Sequence, residues 1–220
     1  MNKVIKDQPS TQSSTQRAYI ELRQAIITGQ LPPGERLKVE ALRDALSTGA
    51  SPVREALSLL TSDQLVERID QKGFRVAQAS REQFQEILNL RFQLEDMALR
   101  ESISNGDQNW EESLVLTHHR MIRVNRDYSV EFDRLHKEFH MSLIAACGSP
   151  ILMKFCSQLY DLNIRYRHLA GTSKSYGTRD VEAEHRAIMD AAVMRDVEKS
   201  SALLQDHYRS TGDFLSEMVS

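Results

Sequence analysis

Two histidines, His136 and His140, stand four residues apart in "DRLHKEFH". On a helix that spacing puts both imidazoles on one face. The apolar stripe there is Phe132, Leu135, Phe139, Leu143 and Ala146, and both histidines fall within it. The pattern therefore predicts that both point into a core. One inward histidine is commonly a satisfied core residue, but two on one face offer convergent nitrogens. His185 lies in "VEAEHRAIMDAA" on the stripe Val181, Ile188, Met189 and Ala192; His207 lies in "ALLQDHY" beside Leu204. The turn between these stretches falls near Arg195–Asp196. Each of the two histidines is then roughly 15–17 Å from it along its own helix. An antiparallel pair would hold them at one level, so four imidazoles from three helices would meet. Such a cluster suits zinc, nickel, copper or iron. A buried polar network without metal is the alternative that the residues leave open.

A charge accompanies the histidines. Arg91 interrupts the apolar side Phe84, Ile87, Leu88, Leu94 and Ala98 of a preceding helix. A buried guanidinium needs a partner. Glu95, one turn on, is one; a bound carboxylate, which a guanidinium matches bidentately, is the other. Arg165 and Tyr166 in "NIRYRH" are further candidates for contacting such an effector.

The elements that must position these groups are all helical. From Arg81 to the end, six helical stretches can be drawn, near 81–104, 107–124, 128–147, 149–169, 179–195 and 197–217. They are separated by breaks such as "SNGD", "NRDYS", "CGSP" and "MRD". Short loops predict antiparallel neighbours in a bundle. The longest loop, Gly171–Thr178, is the expected site of a movable flap.

Several chemistries are excluded. A zinc protease needs Glu directly after the first histidine of the pair, and Lys137 stands there. A ferritin-like di-iron site needs Glu three residues before each of two histidines; Glu182 precedes His185 so, but Lys137 precedes His140. There is no GxSxG, CxxC or phosphate-binding glycine loop. No enzymatic activity is expected. No apolar run approaches the roughly 18 residues of a membrane span. The first residues lack the apolar core of a signal peptide. Cys147 and Cys156 read as reduced structural thiols, as in a cytoplasmic protein.

Charge divides the 220-residue chain. Residues 1–80 carry 11 Lys and Arg against 9 Asp and Glu; the remainder carries 17 against 22. A basic first third beside an acidic remainder hints at a nucleic-acid module joined to another domain. Residues 1–15, rich in Ser, Thr and Gln, read as a disordered arm. Helical spacing follows through Tyr19, Leu22 and Ile26, broken by "TGQLPPGERL". "VEALRDAL" is a second helix, and "SPVREALSLLTSDQ" a third, with Ser51 as N-cap and Pro52 at the first helical position. Two β-prone runs, Leu65–Ile69 and Phe74–Ala77, flank the turn 70–73 and predict a hairpin. This is the order of a winged helix-turn-helix, whose third helix enters the major groove N-terminus first. Ser51 and Arg54 would face base edges or phosphates there. Arg36 and Lys38 suit phosphates, and Lys72 and Gly73 at the hairpin tip suit the neighbouring minor groove.

The segments "IITGQLPPGERL", "SPVREALSLL" and "LVERIDQKGFRVA" resemble, in order and spacing over residues 16–78, the signature of the GntR family of bacterial transcription regulators. The resemblance implies contact with double-stranded operator DNA at Arg36, Ser51, Arg54, Lys72 and Gly73. Ala50 stands where many members carry Arg, so one contact of the family is missing. Residues 81–217 resemble the all-helical FCD ligand-binding and dimerisation domain: "HKEFH…AACGSP", "EHRAIMDAA" and "LLQDHY" are similar to its histidine segments. That implies a divalent metal, zinc or nickel, on His136, His140, His185 and His207, and a small carboxylate effector. His136 departs from the Asp or Asn usual at its position. The wording of "GASPVREAL" and "QKGFRVA" is also similar to that of glutarate-responsive members. The expectation is thus a mainly α protein, a winged helix-turn-helix followed by an antiparallel helical bundle. Its implied role is that of a cytoplasmic homodimeric repressor, released from its operator by a small organic acid bound beside Arg91. A regulator whose second domain only dimerises, or binds effector without metal, is the rival reading.

Overall fold

The computed structural model describes residues 12–125, 129–170 and 180–216, and the chain divides into two compact units at Gln78/Ala79. The N-terminal unit contains α1 (Ser14–Ile27), β1 (Arg36–Leu37), α2 (Val39–Ala45), α3 (Ala50–Ser62), β2 (Val66–Ile69) and β3 (Gly73–Val76). Helix α1 starts earlier than the spacing suggested, because the Ser13 side chain accepts a hydrogen bond from Gln16 N–H and so caps it. Ser14 and Thr15, read as part of an arm, are therefore helical; residues 1–11 of that arm lie outside the described residues. The α1 stripe Ala18, Leu22, Ile26 packs against Val53, Ala56, Leu57 and Leu60 of α3, and all are buried.

Helix α3 also begins earlier than expected. Its N-cap is Gly49, not Ser51, and Ser51 lies inside the first turn with its side chain exposed. The hairpin is as predicted in place, but it carries a third strand. β1 pairs antiparallel with β3, giving the order β1-β3-β2, with Arg36 opposite Arg75 and Leu37 opposite Phe74. Two glycines make this possible. Gly34 takes φ +79° so that its N–H reaches Val76 C=O and turns the chain into β1. Gly73 takes φ +88° opposite Ile69, where the wing turns back into β3.

The C-terminal unit is built of helices alone among the described residues: α4 (Arg81–Asn105), α5 (Gln108–Ile122), α6 (Val130–Leu143), α7 (Pro150–Ala170), α8 (Val181–Val193) and α9 (Val197–Ser216). Local chemistry sets their starts. Ser80, Asp107, Ser129 and Asp180 each accept a hydrogen bond from the N–H three residues on. Arg195, with φ 60°, forms the tight turn between α8 and α9. Its guanidinium donates to the carbonyls of Ile103 and Gly106, filling acceptors that the end of α4 leaves open. α6 ends at Leu143, so Ala146, expected on its stripe, lies beyond the helix. The expected flap Gly171–Thr178 lies outside the described residues. α4 packs on α7 and α9, α5 on α6, and α8 on α9, around a core that includes Leu99, Leu114, Phe139, Leu143 and Ile188. Among the described residues no helix is long and apolar enough to cross a membrane.

Candidate metal centre and nucleic-acid interface

Three helices deliver four imidazoles to one point. His136 and His140 come from α6, His185 from α8 and His207 from α9, and all four are buried. One nitrogen from each lies within 4.8 Å of the others. Ring centroids are 4.6 Å apart for His136–His140 and for His185–His207, and 4.9 Å for His136–His185. A tetrahedral zinc with bonds of about 2.0–2.1 Å needs nitrogens about 3.3 Å apart, so a small contraction would complete the shell.

Outer hydrogen bonds select which nitrogen faces inward. His136 Nδ1 meets the Tyr160 hydroxyl at 2.5 Å, His207 Nδ1 meets Glu184 Oε2 at 2.8 Å, and His140 Nδ1 meets the Tyr208 hydroxyl at 3.3 Å. Holding Nδ1 from behind leaves Nε2 as the ligand atom, as in carboxylate–histidine–metal arrangements. His140 Nε2 is buried and has no hydrogen-bond partner among the described residues. A buried nitrogen in that state needs a physical reason, and a metal is one. The donor set fits a divalent transition metal.

Electrostatics favours the neutral form of His136 and His140, which is the metal-binding form. Burial, then the neighbouring histidines and Arg167, hold His136 well below the usual imidazole range. Burial, then His207, Arg91 and Arg167, do the same for His140. The Tyr160 and Tyr208 phenols are pushed upward, chiefly by burial, and stay protonated. Burial likewise pushes the Cys156 thiol up to about 12, so it is inert.

Arg91 lies beside the cluster, as expected, but its fork is already engaged. Nε donates to Glu95 Oε1 at 2.7 Å, Nη1 to Asn163 Oδ1 at 2.8 Å and Nη2 to the Tyr208 hydroxyl at 2.9 Å. Burial opposes its charge, and the Glu95 carboxylate more than restores it. Arg91, Tyr160, Asn163, Arg167 and Tyr208 line, with His136, His140 and His207, a cavity of about 20 Å³. That is room for one water-sized group.

Two sequence candidates are not part of this cavity. Arg165 and Tyr166 do not line it; the Tyr166 hydroxyl donates instead to Gln83 Oε1, and its ring packs on Phe84. The α7 face that does is Tyr160, Asn163, Ile164 and Arg167, a run at helical spacing that the sequence reading missed. Arg167 is held by an ion pair with Asp133, which also binds His168 Nε2.

In the N-terminal unit, Ser51 and Arg54 are exposed on the first turns of α3, and Arg54 makes no ion pair among the described residues. Arg36 is exposed on edge strand β1, Lys38 at the start of α2, and Lys72 and Gly73 at the wing tip. Arg43 and Arg75, by contrast, are paired, with Glu40 and Asp44 and with Glu67.

Comparison with known proteins agrees with this division. Residues 14–76 match the family "Bacterial regulatory proteins, gntR family", and residues 86–210 match the FCD domain. The HTH-type transcriptional regulator BphR of Paraburkholderia xenovorans (strain LB400) is 35% identical over 92% of this chain and 85% of its own length. The HTH-type transcriptional repressor GlaR of Escherichia coli (strain K12) is 32% identical over 86% of this chain and 90% of its own. Among solved structures, E. coli McbR/YncC superposes with a TM-score of 0.80 at 22% identity, covering 94% of this chain and 99% of that one. These relatives are transcription regulators, not enzymes.

Proposed function

We propose that this chain, which belongs to the gntR family of bacterial regulatory proteins and carries an FCD domain, is a repressor released from operator DNA by a small organic acid. The DNA-binding regulator is given by the family; the sign of regulation, the acid and the metal are the proposal. The observation that carries it is the buried His140 Nε2, without a hydrogen-bond partner among the described residues, beside three other imidazoles at a small cavity that Arg91, Asn163 and Arg167 also line.

His136, His140, His185 and His207 would hold a zinc or nickel ion. When bound, it gives the cavity a Lewis-acid anchor for an oxyanion. An imidazole ligates a metal in its neutral form, and Arg91 and Arg167 are each balanced by a carboxylate, Glu95 and Asp133. A dication therefore leaves the site positive, which favours an anion. The cavity of about 20 Å³ is too small for a whole dicarboxylate. Admitting one requires α7 and α9, which supply Tyr160, Asn163, Arg167 and Tyr208, to shift against α6 and α8. A ligand that prefers the shifted arrangement by a few kcal/mol changes the populations of the two states.

The DNA end of the mechanism uses Ser51 and Arg54 at base edges and phosphates, Arg36 on phosphates, and Lys72 with Gly73 near the minor groove. The protein acts as a homodimer in the cytoplasm, on inverted half-sites whose spacing the dimer fixes. Leu90 and Met97 on α4, and Ile151 and Phe155 on α7, are exposed apolar side chains on packed helices and support self-association.

Elemental analysis of the purified chain, beside His136→Ala/His140→Ala, tests the centre. About one transition metal per chain, absent from the variant, is expected, with ligand-free operator binding unchanged and release by acid abolished. A variant still released normally by the acid would refute the metal-assisted mechanism.

A further inference from the structure

We infer that Asn163 is a specificity-determining residue for the effector, its buried Nδ2 amide donating to the ligand oxygen that enters the histidine cavity. The inference rests on the proposed effector site and names a residue and a ligand chemistry within it.

Asn163 is buried on α7 and lines the histidine cavity. The orientation of its amide is fixed by chemistry. Arg91 Nη1 lies 2.8 Å from Oδ1, and a guanidinium can only donate. The carbonyl edge of the amide therefore faces Arg91, and the NH₂ edge faces elsewhere. That Nδ2 is buried and has no hydrogen-bond partner among the described residues. A buried amide donor without an acceptor is unfavourable and asks for an explanation.

The neighbours do not supply one. The Tyr208 oxygen already accepts from Arg91 Nη2, and the Tyr160 hydroxyl is paired with His136 Nδ1. The two nearby carboxylates, Glu95 and Asp133, are committed to Arg91 and Arg167. His140 Nε2 lines the same cavity, and as a metal ligand it too ends at a centre that seeks an anion. A Lewis acid and an amide N–H₂ at one small cavity both demand an acceptor. An ammonium group, which can only donate, would fail at both. In the arrangement seen, about 20 Å³ is room for a single oxygen of the ligand's head. Asn163 also links this oxygen to the buried ion pair, since its other edge holds Arg91.

The test is calorimetric titration of the metal-loaded, full-length protein with formate, acetate, succinate and glutarate, and with succinamide as the neutral counterpart. Wild type is expected to bind one or more of the anions and not the diamide. Asn163→Asp keeps an acceptor for Arg91 but turns a negative oxygen toward the cavity. It should weaken anion binding at least tenfold, the scale of a lost charge-assisted hydrogen bond, at unchanged metal content and unchanged circular dichroism. If the variant binds the anions as wild type does, the role of Asn163 is refuted while the effector site stands. If wild type binds none of the anions, effector site and inference fall together. Should Asn163→Asp not fold, the side-chain ¹⁵N amide resonance of Asn163 in the wild type decides: a shift on titration supports the contact, and an unmoved resonance overturns it.

Discussion

The two units solve opposite problems. The winged unit buries an apolar core of Leu22, Ile26, Val53, Leu57, Leu60 and Val76 and leaves Arg36, Arg54 and Lys72 to solvent. The helical unit also buries charge: Arg91, Glu95, Arg165 and Arg167, four convergent histidines and Asn163 are all inside. The first arrangement gives a rigid platform whose chemistry points outward. The second keeps polar groups inside, where each needs a partner. Desolvated charges are stabilising only while each keeps its partners. Ligand sensitivity here is thus built from buried polarity, and the two units should respond differently to loss of charge and to pH.

The largest effect is expected at Glu95. Glu95→Ala leaves the Arg91 guanidinium buried with only neutral partners, Asn163 and Tyr208. Breaking a buried pair this way costs about 3–5 kcal/mol. Urea unfolding followed by Trp110 fluorescence measures it, because the chain's single tryptophan sits in α5 and reports on the helical unit. A loss below about 1 kcal/mol, the scale of an exposed pair, would mean that Arg91 is solvated after all. Replacing Arg91 and Glu95 together by Met and Leu should cost far less.

Acid comes next. His136 and His140 are held below the ordinary imidazole range in the folded protein, whereas an unfolded chain takes up protons near pH 6.5. The unfolded state thus binds more protons below that pH. Metal-free stability of the helical unit should be level above about pH 6.5 and fall as pH drops below it. The slope approaches about 1.4 kcal/mol per pH unit for each histidine. Chelator-treated protein unfolded in urea at pH 5.5, 6.5 and 7.5 checks this. His136→Ala/His140→Ala should remove most of the slope; a slope that survives in full would assign it to other groups.

How far this could be read from the sequence differs by region, for physical reasons. The starts of α4 and α6 were legible to within two residues because a local break precedes each, whereas the caps were not: Ser13 starts α1 and Gly49, not Ser51, starts α3. The convergence of His185 and His207 was legible because both lie a similar distance from one tight turn. Strand β1 was not, since two residues carry no period and its partner β3 lies far along the chain. The α7 face failed for a different reason. Every residue from Leu162 to Arg167 is buried, so no contrast between wet and dry positions marks the cavity side. Arg165 was chosen where Arg167 lines the site. The outer partners Tyr160 and Glu184 were likewise invisible, because a hydrogen bond between helices leaves no mark on either one.

The smallest effects belong to the outward-facing unit, and two of them separate reading from holding. Arg54→Ala removes an exposed guanidinium from the first turns of α3. It should cost roughly 1–3 kcal/mol of operator binding and relax preference at one base position. Lys72→Ala removes a point charge from the wing tip and should weaken all DNA sequences by a similar, smaller factor. The slope of log K against log salt should fall by about 0.9 for each phosphate that is no longer neutralised. Neither substitution should alter urea unfolding or metal content, since neither side chain packs in a core. Titrations over a salt series, with operator and with unrelated duplex, distinguish the two. If Arg54→Ala weakened both duplexes equally, α3 would hold the backbone and the base reading would lie elsewhere on the unit.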